Sequence, residues 1–536
     1  MPGKTYSVNI QNAFKTIDWK LLMFLLLFLN VKLVVKLAAI VLIYLLKFNF
    51  KFGFHLKKSR LPLFYLIVTG IGILNWIITA GFNNVNYSVA FITGICFWLL
   101  SILAVHQIKL SVEQNTTAVI HQTILVFFVI NAIVSLSVFL IIVFKTGAIN
   151  PYLYQGEYQK YFMSTGDYIK GISFDTSTTN AVLNAFGVVY FLKRKNALML
   201  MLCMIILLLT ASNTTNLFLC GTLIFLFIFQ SDRDEKSLIT ICFLLGVIFL
   251  AKVSPQNNHY VNKSLASIFH IKGETPVKNK ILLPISKEPD SALTAEERKE
   301  KVAILYLDSL YNLRKEKQKP ITTQTVSFVI PTPDINAAPF QHKSIATLVD
   351  DDMLQFIHTH STKLPMSSYP DFQPKLPGKI IAWEQISNYF RHHPFKIITG
   401  LGTGKFSSKL AFRTTGLNIA GGYPAKFIYM DDAFISNHLD LYLYYFTRED
   451  GAHSIINNSD SVYDQLLSEY GLLGLSAFFI FYTGFFIKKV KQLTYGVPLL
   501  FLLMGIFFVG YWFEQLSIVI VFELLLFLNM KEEVKK

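Results

Sequence analysis

The stretch GLGTGKFSSKLAFR, residues 400–413, combines a glycine-rich turn with cationic side chains, a combination that can bind phosphate. The glycines would expose backbone N–H groups, and Lys405, Lys409 and Arg413 would add positive charge. The stretch is not a Walker A motif, because Phe406 replaces the Ser or Thr that must follow the lysine. An ordinary tight turn explains the same spacing, so the residues alone leave both interpretations open.

Asp460 is a second candidate group. It stands where a long polar region gives way to an apolar run in NNSDSVYDQLLSEYGLLGL, residues 457–475. Ser459, Asp460 and Ser461 are all residue types that cap helix N-termini well, because a side-chain oxygen can accept a hydrogen bond from the first turn. The residues alone therefore favour a cap for the helix that begins near Tyr463.

The elements that must position these groups are predicted to lie in a membrane. Of the 536 residues, 53% are hydrophobic and 15% are charged, and the mean hydropathy is +0.45, so polar surface is too scarce for a soluble fold. Apolar runs recur at the length of roughly 20 residues that crosses about 30 Å of hydrocarbon. These runs are residues 19–46, 62–80, 87–106, 119–145, 174–192, 197–211, 214–230, 238–252, 463–487, 497–511 and 514–529.

The distribution of lysine and arginine predicts the orientation of the chain. The connections KFNFKFGFHLKKSR, KRKN and KKVK and the tail KEEVKK are basic, whereas GFNNVN, ASNTTN and YWFEQ carry neither residue. The basic connections are predicted to face the cytoplasm, which places residues 148–173 and 253–461 outside. If run 19–46 is one span, about eleven helices result; if it folds back at residues 30–36, about twelve result, with both chain ends inside.

The net charge of +15 does not require a nucleic-acid partner, because positive-inside loops account for part of it. The four cysteines all lie in apolar runs, with no C-x-x-C pair. Neither a disulfide nor a thiolate metal site is therefore predicted in the outer region.

The outer region has structure of its own. Residues 271–345 are rich in Lys, Glu, Pro and Thr and contain a predicted helix that Thr294 caps and Pro320 follows. A solvated helix in a variable insertion is the simpler interpretation, and docking on the membrane surface is the alternative. Residues 380–390 are predicted to form an amphipathic helix that ends near Pro394.

Taken together, these segments resemble the O-antigen ligase/polymerase superfamily, bacterial GT-C type membrane glycosyltransferases that take sugar chains from a polyprenyl-diphosphate carrier. The resemblance covers about residues 169–529 and rests on the Trp383 helix before GLGTGKF, on DSVYDQLLSEYGLLGL, on KGISFDTSTTNAVLNAFG and on one large outer loop before the last spans. This chain departs from the family at Asp460, where the family block has histidine, and at Lys170, where arginine is common. Ser212–Asn213 stands where a Ser-Arg pair is frequent.

The resemblance implies a chemistry for these residues. Transfer from a diphosphate carrier needs a base for the acceptor hydroxyl and cationic or backbone donors for the leaving diphosphate. Asp460 is the predicted base, and His453, the nearest histidine, is the alternative. The predicted diphosphate ligands are Arg413, Lys405, Lys170 and Arg448. The predicted structural motif comprises Gly402, Gly404, Tyr463, Glu469, Gly471 and Gly474, with the last two glycines allowing close helix packing.

Several of these residues have simpler explanations. His438 and His453 fit surface or hydrogen-bonded histidines, and Glu469 fits a structural hydrogen bond as well as a family role. The aromatic residues of LDLYLYYFTRED fit an interfacial belt as well as sugar stacking. Glu523, inside the last run, is expected to be paired and to face the bundle interior, because an unpaired carboxylate in lipid is costly.

The sequence thus predicts an all-α polytopic membrane protein of about eleven or twelve helices, with one large, partly helical outer loop before the last three. The predicted parts are an N-terminal bundle (1–252), a periplasmic loop domain (253–462, with an insertion near 271–375), and C-terminal helices with a cytoplasmic tail (463–536). The predicted location is a bacterial inner membrane.

The predicted function is that of an O-antigen or exopolysaccharide ligase or polymerase. Such an enzyme would transfer oligosaccharide, with inversion and without metal or cofactor, to a hydroxyl of a sugar, a lipid A core or a protein. The sequence does not separate ligase from polymerase. A flippase or transporter of lipid-linked sugars is the rival, although a transporter would usually carry more ionisable mid-span residues than Lys32, Lys36 and Glu523. A non-catalytic assembly or sensor protein is a third alternative.

Overall fold

The computed structural model describes residues 16–56, 59–153, 165–254, 301, 305, 378–416, 423–439, 441, 458–489 and 493–533. Every regular element within these ranges is a helix. The principal helices are α1 (Trp19–Phe28), α2 (Leu33–Leu46), α3 (Phe64–Ile78), α4 (Val85–Gln114), α5 (Thr117–Thr146), α6 (Ser177–Lys193), α7 (Ala197–Leu209), α8 (Asn213–Phe229), α9 (Arg233–Ile248), α10 (Gly378–His392), α11 (Lys396–Thr399), α12 (Lys409–Thr414), α13 (Asp432–Asn437), α14 (Val462–Ala477), α15 (Gly496–Ile506), α16 (Trp512–Gln515) and α17 (Ser517–Glu533). Short 3₁₀ helices occupy Gly81–Asn83, Pro151–Leu153, Thr165–Tyr168, Gly171–Ser173 and Ala425–Phe427.

The helical membrane class that the sequence predicts is what the structure shows. α4, α5, α9 with its extension to Val253, and α14 with its extension to Ile487 are long and apolar enough to cross a membrane. α1, α2, α3, α7, α8 and α15 are also apolar but shorter. Each apolar run predicted from the sequence overlaps at least one of these helices or α6 or α17. The count of about eleven or twelve spans stays a prediction.

The first apolar run is a hairpin of two packed helices, α1 and α2. The Asn30 side chain accepts the Lys32 N–H at 3.0 Å in the turn between them. At the open end, Lys47 Nζ lies 3.3 Å from Asp18 Oδ2. At 1.5 Å per residue the arms are about 15 and 21 Å long, shorter than the hydrocarbon layer. The hairpin is therefore the alternative that the structure shows. It places residue 18 at the same end of the bundle as the basic connection that begins at residue 47.

The basic connections gather at one end of the bundle. Lys531, near the end of α17, donates to the backbone carbonyls of Val112 and Glu113 in the last turn of α4. Arg194, after α6, forms an ion pair of 3.1 Å with Glu532. A cation at a helix C-terminus satisfies carbonyls that have no partner in the helix and interacts favourably with the helix dipole. We call this the basic end; the segments that carry the candidate site lie at the opposite end.

α17 lies at the centre of the bundle, and its side chains from Ser517 to Met530 are all buried. A helix that is apolar on every side is expected to be surrounded by other helices or lipid. Glu523 in this helix is fully buried, and its Oε1 accepts a hydrogen bond of 2.6 Å from Tyr65 Oη. The predicted pairing of Glu523 in the bundle interior is therefore observed.

Candidate functional site

The glycine-rich turn and the YGLLG segment, far apart in the sequence, lie in direct contact. Gly402 N donates to Glu469 O at 3.0 Å. Beside this contact, α14 is interrupted at Gly471, whose φ of 65° and ψ of −164° belong to a region that essentially only glycine adopts. A Cβ at position 471 would lie 2.6 Å from Gly400 N. Both the backbone conformation and the close approach therefore require glycine at 471.

The carboxylate of Glu469 fills the glycine-rich turn. Its Oε2 accepts the Gly404 N–H at 2.9 Å and its Oε1 accepts the Phe406 N–H at 3.3 Å, and the side chain is fully buried. Gly402 and Gly404 have φ values of 118° and 73°, which form the concave turn. These N–H groups donate to an acidic group, but that group is a side chain of the protein. They are not available to a phosphate.

Two further motif residues shape α14. Tyr463 Oη donates to Met504 O at 2.8 Å and so ties α14 to α15. Gly474 follows the interruption, and the atoms nearest to a Cβ placed there belong to Tyr470 and Leu466 of the same helix. Close packing against a neighbouring segment is thus a feature of Gly471, whereas Gly474 relieves crowding within α14.

Asp460 precedes α14 at the end of the bundle opposite the basic end, and its side chain is half-buried. The cap of α14 is Ser461, whose Oγ accepts the Asp464 N–H at 3.4 Å. Asp460 is therefore not the N-cap, which corrects the simpler of its two interpretations. Its carboxylate is not used for capping.

Lys379, in the first turn of α10, holds the Asp460 segment. Its ammonium donates to Asn458 Oδ1 at 2.9 Å and to the carbonyl oxygen of Asp460, whose own N–H donates to the same Asn458 oxygen at 3.0 Å. Burial raises the pKa of the Asp460 carboxyl, and the charges of Lys379 and Lys409 oppose this rise. A carboxylate with a raised pKa is a stronger proton acceptor than one at its ordinary value.

Lys409 joins a second charged segment to the site. Its Nζ lies 3.8 Å from Asp175 Oδ1, just after the short helix Gly171–Ser173. Lys170 is the residue that precedes this short helix, and its half-buried ammonium makes no ion pair with any residue that the structure describes. Lys36 is buried, donates to Phe28 O at 2.7 Å and is close enough to Asp175 and Lys409 to interact with their charges.

The other predicted cations differ in their surroundings. Lys405 is engaged elsewhere: its Nζ lies 3.4 Å from Asp431 Oδ2 and 4.3 Å from the centre of the Tyr87 ring. Arg413 is half-buried, and its Nε has no hydrogen-bond partner within the described ranges. Its charge acts on Glu514, which accepts the Leu410 N–H at 3.0 Å. Arg413 thus retains donor capacity that Lys405 has already used.

His438 is a packing residue. It is fully buried, stacks on Phe406 at 4.8 Å and forms a 2.9 Å hydrogen bond between its Nδ1 and Gln385 Oε1. Burial lowers its pKa to about 3, so the ring is neutral at ordinary pH. The described residues do not include the alternative base His453, the cation Arg448, most of LDLYLYYFTRED or most of the predicted Thr294 helix.

The structure therefore brings Asp460, Lys379, Lys409 and Asp175 together, and we call these four residues the charged cluster. Tyr511 connects it to the glycine-rich turn, because its Oη lies 3.1 Å from Ser407 Oγ and donates to Ser459 O at 3.3 Å. The cluster combines a proton acceptor with cations that can bind an anion. Sequence reasoning missed Lys379, Asn458, Asp175 and Glu514. Lys379 and Glu514 are charged residues beside apolar ones, whereas Asn458 and Asp175 stand among other polar residues and give no such signal.

Within the described ranges, no group of three or more His, Cys, Asp and Glu side chains is arranged to hold a metal ion. Comparison with known proteins found no matching family model, no matching curated protein and no matching solved structure.

Proposed function

We propose that the chain is a membrane glycosyltransferase that moves oligosaccharide from a polyprenyl-diphosphate carrier to a hydroxyl acceptor on the outer face of a bacterial inner membrane. The observation that carries this proposal is that the two resembling segments, GLGTGKF and DSVYDQLLSEYGLLGL, pack against each other at Glu469, while Lys379 and Lys409 lie near the half-buried Asp460 carboxylate at the start of the second segment. The carboxylate lies directly before a helix long enough and apolar enough to cross a membrane.

The proposed reaction is a single inverting displacement. The Asp460 carboxylate accepts the proton of the acceptor hydroxyl, whose oxygen attacks the anomeric carbon of the donor sugar. The bond from that carbon to the phosphate oxygen breaks, and its electron pair stays on the carrier diphosphate. Lys409 and Arg413 stabilise the charge of this leaving group. Lys379 is a positioning residue, because it holds the backbone of the base.

A rival function is transport of the same lipid-linked sugars. The buried ionisable side chains have structural partners in the fold: Glu469 binds the glycine-rich turn, Glu523 accepts from Tyr65, and Lys36 donates to Phe28 O. Such groups support a structural role more than a transport pathway, which usually has ionisable residues facing a cavity.

The deciding experiment supplies purified protein with a polyprenyl-diphosphate oligosaccharide and a hydroxyl acceptor. The products are then analysed for new glycosidic linkages and for free carrier diphosphate. We expect both products in equal amounts. Movement of the lipid-linked sugar across vesicles without any new linkage would instead establish a transporter.

Ligase and polymerase differ only in the acceptor. A strain that lacks the protein would accumulate long chains on the carrier if the protein is a ligase. It would lose long chains and keep single repeats if the protein is a polymerase. Unchanged surface polysaccharide would contradict both forms of the proposal.

Replacing Lys379 by Gln is expected to move the acid limb of the pH–activity profile to higher pH. Gln can donate to Asn458 and Asp460 but removes a charge that holds down the Asp460 pKa. Because the base must be deprotonated, a higher pKa means that activity falls at a higher pH during acidification. Initial transfer rates across pH measure this shift, with Lys426→Gln, at an exposed lysine, as control. Identical acid limbs in the two variants would show that the Lys379 charge does not act on the base.

Replacing Arg413 by Lys is expected to raise KM for the lipid-linked donor by roughly tenfold. The substitution keeps the positive charge but loses the planar fork that binds two phosphate oxygens at once. Arg391→Lys is a matched control, because Arg391 is exposed and bonds only its helix neighbour Asn388 among the described contacts. Equal KM values for the two variants would remove Arg413 from the diphosphate site.

A further inference from the structure

Three cations, Arg60, Lys109 and Lys489, lie near one another at the basic end. Arg60 Nη2 lies 2.6 Å from Glu113 Oε2, and Lys109 Nζ lies 3.7 Å from Glu113 Oε1. Lys489 lies near Lys109, because the two ammonium groups lie over the rings of Phe485 and Phe527, whose centres are 6.4 Å apart. The like charges of Lys489 and Arg60 both act on Lys109. Within the described residues, Glu113 pairs with Arg60 and Lys109, and no ion pair is formed by Lys489, so the three cations carry more positive charge than this carboxylate balances.

These cations are partly removed from water. The side chains of Lys109 and Arg60 are 16% and 21% exposed. Lys109 Nζ lies 4.7 Å from the centre of the Phe527 ring, and Lys489 Nζ lies 4.4 Å from that of Phe485. Aromatic rings attract cations, but they do not neutralise them. Partly buried like charges remain unfavourable until an anion approaches them.

The surroundings of the cluster suit a lipid. Lys489 lies two residues after Ile487, the last residue of the extension of α14, and Ile487 is 53% exposed. The connection that leads to Arg60 carries an aromatic row in which Phe48 is 82% exposed and Phe50 is 53% exposed. Basic pockets between helices at the cytoplasmic surface bind phospholipid headgroups, and aromatic residues favour the same interfacial depth.

We propose that Arg60, Lys109 and Lys489 form a binding site for the phosphate headgroup of an anionic phospholipid. The headgroup contacts the three cations, and the acyl chains lie along the apolar surface next to Ile487. Glu113 competes with the lipid phosphate for Arg60 and Lys109. A soluble phosphate would use the cations but not the apolar surface, so a lipid is the occupant that uses both features.

The test uses the full chain in detergent, titrated with phosphatidylglycerol or phosphatidylcholine, with bound lipid counted by native mass spectrometry. We expect the wild type to prefer phosphatidylglycerol. The double variant Lys109→Gln/Lys489→Gln should bind it more weakly by about fivefold for each cation removed. Lys195→Gln is the matched control, because Lys195 pairs one-to-one with Asp232 at 2.6 Å.

The substitution Glu113→Gln is expected to change lipid affinity in the opposite direction. It removes the competing carboxylate, so it should tighten phosphatidylglycerol binding, which loss of structure alone would not do. The proposal is overturned if this variant binds the lipid no better than wild type, or if the double variant binds it as well as Lys195→Gln does. If inorganic phosphate stabilises the protein as much as phosphatidylglycerol does, the cluster binds a soluble anion and the lipid assignment is overturned.

Discussion

Replacing Asp460 by Asn is expected to lower the rate of oligosaccharide transfer by roughly 10²–10⁴-fold, the usual cost of losing a general base. Asn keeps the size of the side chain and loses only the proton acceptor. The helix cap is Ser461, so the substitution leaves the start of α14 intact. The unfolding temperature in detergent should therefore stay near that of the wild type while the initial rate of product formation falls.

The substitution Ser461→Ala is the complementary test, because it should lower stability and leave the transfer rate largely intact. It removes the cap, which costs about 1 kcal/mol of stability, and keeps the carboxylate. We expect a lower unfolding temperature and a rate much closer to wild type than that of Asp460→Asn. If Asp460→Asn retains full activity and His453→Ala abolishes it, the base is His453 and the assignment of Asp460 is wrong.

Replacing Gly471 by Ala is expected to destabilise the protein by on the order of 3 kcal/mol, from backbone strain plus steric overlap. Alanine cannot readily adopt the φ of 65° and ψ of −164° found there, and its Cβ would lie 2.6 Å from Gly400 N. Since backbone atoms form this contact, no side chain can move to relieve it. Displacement of the glycine-rich turn should also abolish transfer activity.

Gly246→Ala is the matched control for this substitution. Gly246 lies within α9, and a Cβ there would meet no atom within 4 Å. Thermal unfolding in detergent should show a large decrease for Gly471→Ala and almost none for Gly246→Ala. Similar stabilities of the two variants would mean that the turn and α14 are not tightly packed in solution.

The sequence by itself determined the helical membrane class and the positions of the apolar helices and of the amphipathic helix α10. The amphipathic stretch predicted at residues 380–390 lies within α10, and the apolar run 119–145 lies within α5. These features depend on local composition, because a backbone in hydrocarbon must satisfy its own hydrogen bonds and does so within each helix. The need for glycine in the turn could be predicted for the same reason, since it is a property of local conformation.

Only the tertiary structure decided which polar groups meet. Ser459, Asp460 and Ser461 are equally suitable caps, and the packing of the preceding segment against Lys379 selects Ser461 and leaves the Asp460 carboxylate for other chemistry. The sequence of the glycine-rich turn fits a phosphate site and an ordinary tight turn equally well, and only the structure shows that Glu469 from α14 occupies its N–H groups. Hydrogen-bond partners distant in sequence depend on how whole helices pack, and no local pattern encodes that arrangement.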